Sequence, residues 1–132
     1  HGALIMKKAV EEFRVSRVID GRIRRAQEPT YNEMKRLASK YVWNDASELL
    51  FLNIAKIVDF AEKGADGIIN AICFNCMVGN ASNAIIDKIR KDYTNIPVIT
   101  TVYSNTDDPL RDTVMDAFIH QAKNRFLQKK KK

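Results

Sequence analysis

Two cysteines stand three apart in Cys73-Phe-Asn-Cys76, and they are the only thiols of the chain. They lie inside the stretch Ile68-Ile-Asn-Ala-Ile-Cys-Phe-Asn-Cys-Met-Val-Gly-Asn80, where a short apolar run should hand over to a helix. The end of a parallel strand, just before a helix, is where open α/β sheets present ligands and reactive groups. A thiol placed there meets the positive end of the helix dipole, which favours thiolate. Thiolates spaced in this way can exchange disulfides or form half of a zinc site. Two small residues filling a core is the plain alternative.

The elements that must position the pair follow from periodicity and punctuation. From Leu4 to about Val15 the pattern is that of an amphipathic helix, and Val15–Ile19 is a short β-branched run ended by Gly21. Arg22–Pro29 is basic and then turn-like. Thr30 with Glu33 makes a capping box for a helix to about Tyr41, read as a surface excursion ahead of the core. Asn44, Asp45 and Ser47 are cap residues before a helix with Leu50, Ile54, Ile57, Val58 and Ala61 inward, closed by Gly64. Ile68–Ile72 reads as a buried strand, and Asn80 or Ser82 caps the next helix, with Ala81, Ile85 and Ile89 inward and its end near Tyr93. Asn95-Ile-Pro97 turns into a second buried strand, Val98–Tyr103. Asp108 before Pro109 starts a last helix whose Leu110, Val114, Ala117, Phe118, Ala122 and Phe126 predict core packing.

This order predicts an α/β fold: a three-layer-like arrangement of a small parallel sheet, one βαβ unit, flanked by helices, as in part of a larger flavodoxin-like or Rossmann-like domain. The boundaries expected are a helical extension over 1–45, an α/β domain over 46–128 and a disordered basic tail over 129–132. Two strands make a thin sheet. A third is expected from the N-terminal segment, from the rest of a larger protein, or from a second copy. His1-Gly2 reads as a tag remnant, so the chain is expected to be a piece of a longer protein.

The 132 residues, 45% hydrophobic and 29% charged, suit one globular core. No apolar run approaches a membrane span and no secretory pattern opens the chain, so a soluble, cytoplasmic protein is expected. Two cysteines are no disulfide framework. Of the net charge of +6, residues 1–25 carry +4 and the terminal lysines another +4, leaving the body at −2. With no aromatic platform recognised beside the charge, nucleic acid is not expected as a partner. No Gly-rich phosphate loop is present. His120 reads as a surface or packed residue, Asp107, Asp108 and Asp112 as charges favoured at a helix start, and Trp43 and the scattered Phe residues as core.

From Lys40 to Phe126 the chain resembles the C-terminal region of the 2-hydroxyacyl-CoA dehydratase superfamily, in particular CoA-substrate-specific enzyme activases related to the activator of 2-hydroxyglutaryl-CoA dehydratase. The resemblance rests on Lys40-Tyr-Val42, Ile57-Val-Asp-Phe-Ala-Glu-Lys-Gly-Ala-Asp-Gly-Ile-Ile-Asn-Ala71, Phe74-Asn-Cys-Met-Val-Gly79, Lys88-Ile-Arg-Lys-Asp-Tyr93, Asn95-Ile-Pro97 and Asp116-Ala-Phe-Ile-His-Gln-Ala122. In such families a Phe-x-Cys-Met-Pro-Gly stretch supplies a cysteine to an iron–sulfur cluster, which puts that role on Cys76; Cys73 is an extra thiol to which the resemblance gives no role, and the cluster reading takes it as a candidate second ligand. Val78 and Cys73 stand where the family commonly has proline, and Tyr103-Ser-Asn replaces its usual Tyr-Asp-Gly.

The resemblance implies anaerobic metabolism, in which an ATP-driven activator passes a low-potential electron to a dehydratase that removes water from a 2-hydroxyacyl-CoA. The ATPase part has no counterpart here, so an accessory, cluster-presenting domain that is not catalytic alone is the expectation. A four-iron cluster takes about four thiolates, so further ligands are expected from the remainder of a parent protein, a homologous subunit or a homo-oligomer. Three other readings stand beside it. One is a dithiol redox module, although the order of segments is not that of a thioredoxin-like domain. Another is a zinc half-site shared across a dimer, and the last is a scaffold making subunit contacts only.

Overall fold

The computed structural model describes residues 10, 28–43, 45–103 and 109–131. The chain divides into two compact units, His1–Thr30 and Tyr31–Lys132. In the first, Val10 is helical and exposed. The remainder of the expected Leu4–Val15 helix, the Val15–Ile19 run, Asn44 and the Asp107–Asp108 helix start lie outside the described residues.

The second unit contains, in order, α1 (Tyr31–Ala38), α2 (Glu48–Glu62), β1 (Ile68–Cys73), α3 (Met77–Asp92), β2 (Val98–Tyr103) and α4 (Arg111–Lys130). It is an α/β fold around one two-stranded sheet. The strands are parallel, paired from Ile68 with Val98 to Cys73 with Tyr103, and α3 is the crossover between them.

The core lies between the sheet and the first three helices. Phe51, Ile54, Ala55, Val58 and Ala61 recur at helical spacing on α2 and are buried with Ile57. Leu37, Ala38 and Val42 close over them from α1 and the turn after it, and Ile68, Ile86, Ile89 and Ile96 complete the cluster. The first helix is therefore not a surface excursion, and the unit begins near residue 31 rather than 46. Its last turn is apolar enough to bury, which outweighs the charged residues around it.

The C-terminus of α2 is a Schellman motif: Gly64 N–H donates to Ala61 O, Ala65 N–H donates to Phe60 O, and Gly64 takes φ of 82°, which a glycine adopts without strain. The helix ends where glycine predicts it.

Further expectations are overturned. The strands are not buried on both faces: Ile68 and Asn70 are buried, whereas Ile69, Ala71 and Cys73, on the opposite face of β1, are exposed. The last helix is not core-packed along its face. Phe118 alone is buried, its ring against Gly67, while Leu110, Val114 and Phe126 stay exposed. Its apolar residues are spread around the helix rather than gathered on one face, and among the described residues Phe118 alone finds a buried seat. The basic run at 129–132 is not wholly a disordered tail, because α4 continues through Lys130 and Lys129 Nζ donates to Gly64 O at 2.7 Å, to Ala65 O at 3.2 Å and to Asp66 Oδ1 at 2.7 Å. Carbonyls left over at the end of α2 give that ammonium its partners.

Trp43, expected in the core, is 84% exposed, and Phe60, Phe74 and Phe126 are exposed as well. Among the described residues no helix is long and apolar enough to cross a membrane.

Candidate functional site

The strand-to-helix handover at the cysteines is abrupt. β1 runs to Cys73, and Phe74 N–H donates to Tyr103 O of β2 at 3.0 Å, so the sheet pairing extends one residue past the strand. Cys76 N–H then donates to Cys73 O at 3.3 Å, closing a four-residue turn with Asn75 at φ 57°. That left-handed conformation suits asparagine better than most residues.

The helix starts four to six residues earlier than cap chemistry suggests. Cys76, not Asn80 or Ser82, is the N-cap of α3; its backbone is extended, and its Sγ accepts the Gly79 N–H at 3.4 Å. Sulfur here does the work usually done by a hydroxyl or carboxylate oxygen at this position. The helix can approach β1 closely because position 79 is glycine: a Cβ there would sit 3.0 Å from Cβ and Cγ2 of Ile72. Ser82, wholly buried one turn on, returns its hydroxyl to Val78 O at 2.7 Å.

The Gly79 N–H lowers the Cys76 thiol below the ordinary thiol value; partial burial opposes this, and the Cys73 thiol and the Val78 N–H add to the lowering. Cys73 is an exposed free thiol and Cys76 a half-buried one. The structure thus brings the two predicted site residues together and gives one of them a cradle of backbone donors. Around them Phe74, Met77 and Tyr103 are largely exposed, so the pair sits on an apolar rim. Among the described residues no group of three or more His, Cys, Asp and Glu comes together to hold a metal ion. The pair can supply two soft ligands.

The other residues considered do not join it. His120 is exposed on α4, with its Nδ1 3.3 Å from Asn124 Nδ2, and Asp112 lies in the first turn of α4.

One feature beneath the site was not foreseen. Asn70, 4% exposed in the middle of β1, accepts from Asn53 Nδ2 of α2 at 3.0 Å and donates to Thr100 Oγ1 of β2 at 3.5 Å. Thr100 passes its own hydroxyl hydrogen to Asn83 Oδ1 of α3. The result is a polar ladder crossing all four elements under the cysteine turn. Its one sequence signal was an asparagine interrupting an apolar strand. No family model, no curated protein and no solved structure matches the chain.

Proposed function

We propose that the chain is a cluster-presenting domain, in the manner of the C-terminal region of a CoA-substrate-specific enzyme activase or 2-hydroxyacyl-CoA dehydratase-like protein. Cys76 and Cys73 would hold an iron–sulfur cluster, the remaining ligands coming from the rest of a parent protein or a homologous subunit. The observation that carries this reading is the Cys76 sulfur at the N-cap of α3 with Cys73 beside it. The low thiol value favours the ligating thiolate form, and backbone N–H groups directed at sulfur are one of the means by which proteins set a cluster's potential. When bound, the cluster would supply a one-electron carrier at low potential. The chain's own part is to hold two thiolates at the sheet's edge, within an apolar rim that a neighbouring protein surface can cover and dry.

A second reading, dithiol exchange, is favoured by the exposed Cys73 thiol and the half-buried Cys76 thiol sharing one turn.

Iron and acid-labile sulfide measured after anaerobic reconstitution, with EPR after reduction, separate the two. Stoichiometric iron lost in Cys76→Ser and diminished in Cys73→Ser is the expected result. Protein that takes up no iron, yet forms a mixed disulfide at Cys76 that Cys73 resolves, belongs to the dithiol reading. Protein that does neither is a scaffold.

A further inference from the structure

A concavity of about 350 Å³ opens where the turn after α1 meets the C-terminal half of α3, lined by Ser39, Lys40, Tyr41, Val42, Trp43 and Lys88. It is an open depression rather than an enclosed cavity, with a volume at the low end of the range of small-molecule sites. Lys88 is twelve residues beyond Cys76 along α3, about 18 Å by the helical rise, so the concavity is distinct from the cysteine turn.

Its chemistry is specific in two respects. The Lys40 and Lys88 ammonium groups both stand over the Tyr41 ring, 5.4 and 5.8 Å from its centroid. Tyr41 is fixed by its hydroxyl, which donates to Asp92 Oδ2 at 2.7 Å, and Lys40 Nζ lies 2.8 Å from the same oxygen. Lys40 and the Tyr41 hydroxyl hold the Asp92 carboxyl below the usual carboxylate range, so it stays ionised and offsets one of the two ammonium charges. One positive charge is left over. On the same concavity Trp43 offers an indole that is 84% exposed and so open to a stacking partner.

We propose that this concavity binds a mononucleotide, its base stacked on the Trp43 indole and its phosphate held by Lys88 and Lys40. A flat aromatic group and an anionic group within one small ligand match what the site offers: aromatic stacking for any base, and charge-assisted donors for a phosphate. The single surplus charge suits a monophosphate better than a triphosphate. The reading goes beyond cluster presentation and is independent of it.

Trp43 is the chain's only tryptophan, so its fluorescence reports the site directly. Titration of the full chain with AMP should quench that fluorescence saturably, and adenosine should bind more weakly for want of the phosphate. Lys88 is exposed, and Lys88→Ala should leave the circular dichroism unchanged while weakening AMP about tenfold. Lys88→Arg should retain binding. Absence of saturable quenching, or equal affinity of AMP for the native and Lys88→Ala chains, overturns the proposal. So does an affinity for oligoadenylates that climbs with every added nucleotide, which would identify an extended surface for single strands.

Discussion

The Cys76 sulfur is at once a helix cap and an ionisable group, so its proton and the first turn of α3 are linked. In the folded chain the thiolate is favoured, chiefly by the Gly79 N–H. A folded value below the unfolded one means that the stabilisation is absent below the folded value, grows as pH rises through the window between the two, and is complete above the ordinary thiol value. Urea midpoints of the native chain and Cys76→Ser, compared across that window under reducing conditions, should therefore diverge with rising pH; a constant difference would sink the assignment. Alkylation of Cys76 in a Cys73→Ser background should still show a depressed midpoint, though less so than with the Cys73 thiol in place, because the Gly79 N–H remains while the Cys73 contribution is removed. At this scale the spacing of the thiols was enough to find the pair, whereas the helix start was not legible. Asn80 and Ser82 are better caps by type, and only the close seat of Gly79 on Ile72 brings the helix back to Cys76. Trp43 and Phe74 were misplaced for a related reason: apolar character says that a side chain gains from burial, not that an element is there to bury it.

Helix α4 is held by its polar end more than by apolar packing, which buries Phe118 alone. Arg125 donates from Nη1 to Thr94 O at 2.7 Å and from Nη2 to Tyr93 O at 3.0 Å, covering carbonyls at the end of α3, while Lys129 does the same for the end of α2. Positive groups at two helix C-termini meet both the dipoles and the orphan carbonyls. Arg125→Ala should lower stability by about 1–3 kcal/mol, since it strips charged donors from a half-buried site. Lys129 is more exposed, and Lys129→Ala should cost roughly 0.5–1 kcal/mol. Both are read as shifts in urea midpoint with the slope unchanged; a larger loss in Lys129→Ala than in Arg125→Ala would contradict this ranking. The anchorage of α4 was not legible in the sequence, because Arg125 and Lys129 meet partners 31 to 32 and 63 to 65 residues away in the chain. The α2 helix, β1 and β2 were legible because a run of apolar residues at one period, bounded by glycine or proline, leaves few alternatives.

Taken whole, the Tyr31–Lys132 unit has one well-packed side. Ile54, with no exposed surface, and Ile69, 47% exposed, are the same residue type in opposite circumstances. Ile54→Ala should cost about 2–5 kcal/mol, whereas Ile69→Lys should shift stability by no more than about 0.5 kcal/mol. Equal losses in denaturant titrations would mean that the outer face of β1 is covered in solution. A thin sheet was foreseeable from two strand-like runs, but which face the helices would choose was not, since neither Ile68–Cys73 nor Val98–Tyr103 alternates cleanly enough to declare a side. The polar ladder under the cysteine turn bears on this ambiguity. Both strands are short, uncharged and nearly uniform in apolar character, so a slip of two residues would keep every oily side chain on its proper face. It would also set Asn70 opposite a valine, leaving its Oδ1 on Asn53 but depriving its buried Nδ2 of the Thr100 hydroxyl at a cost of about 1–3 kcal/mol. The match of Asn70 with Thr100 is thus a key cut into two otherwise interchangeable strands, and it rejects misaligned forms that hydrophobicity alone would tolerate.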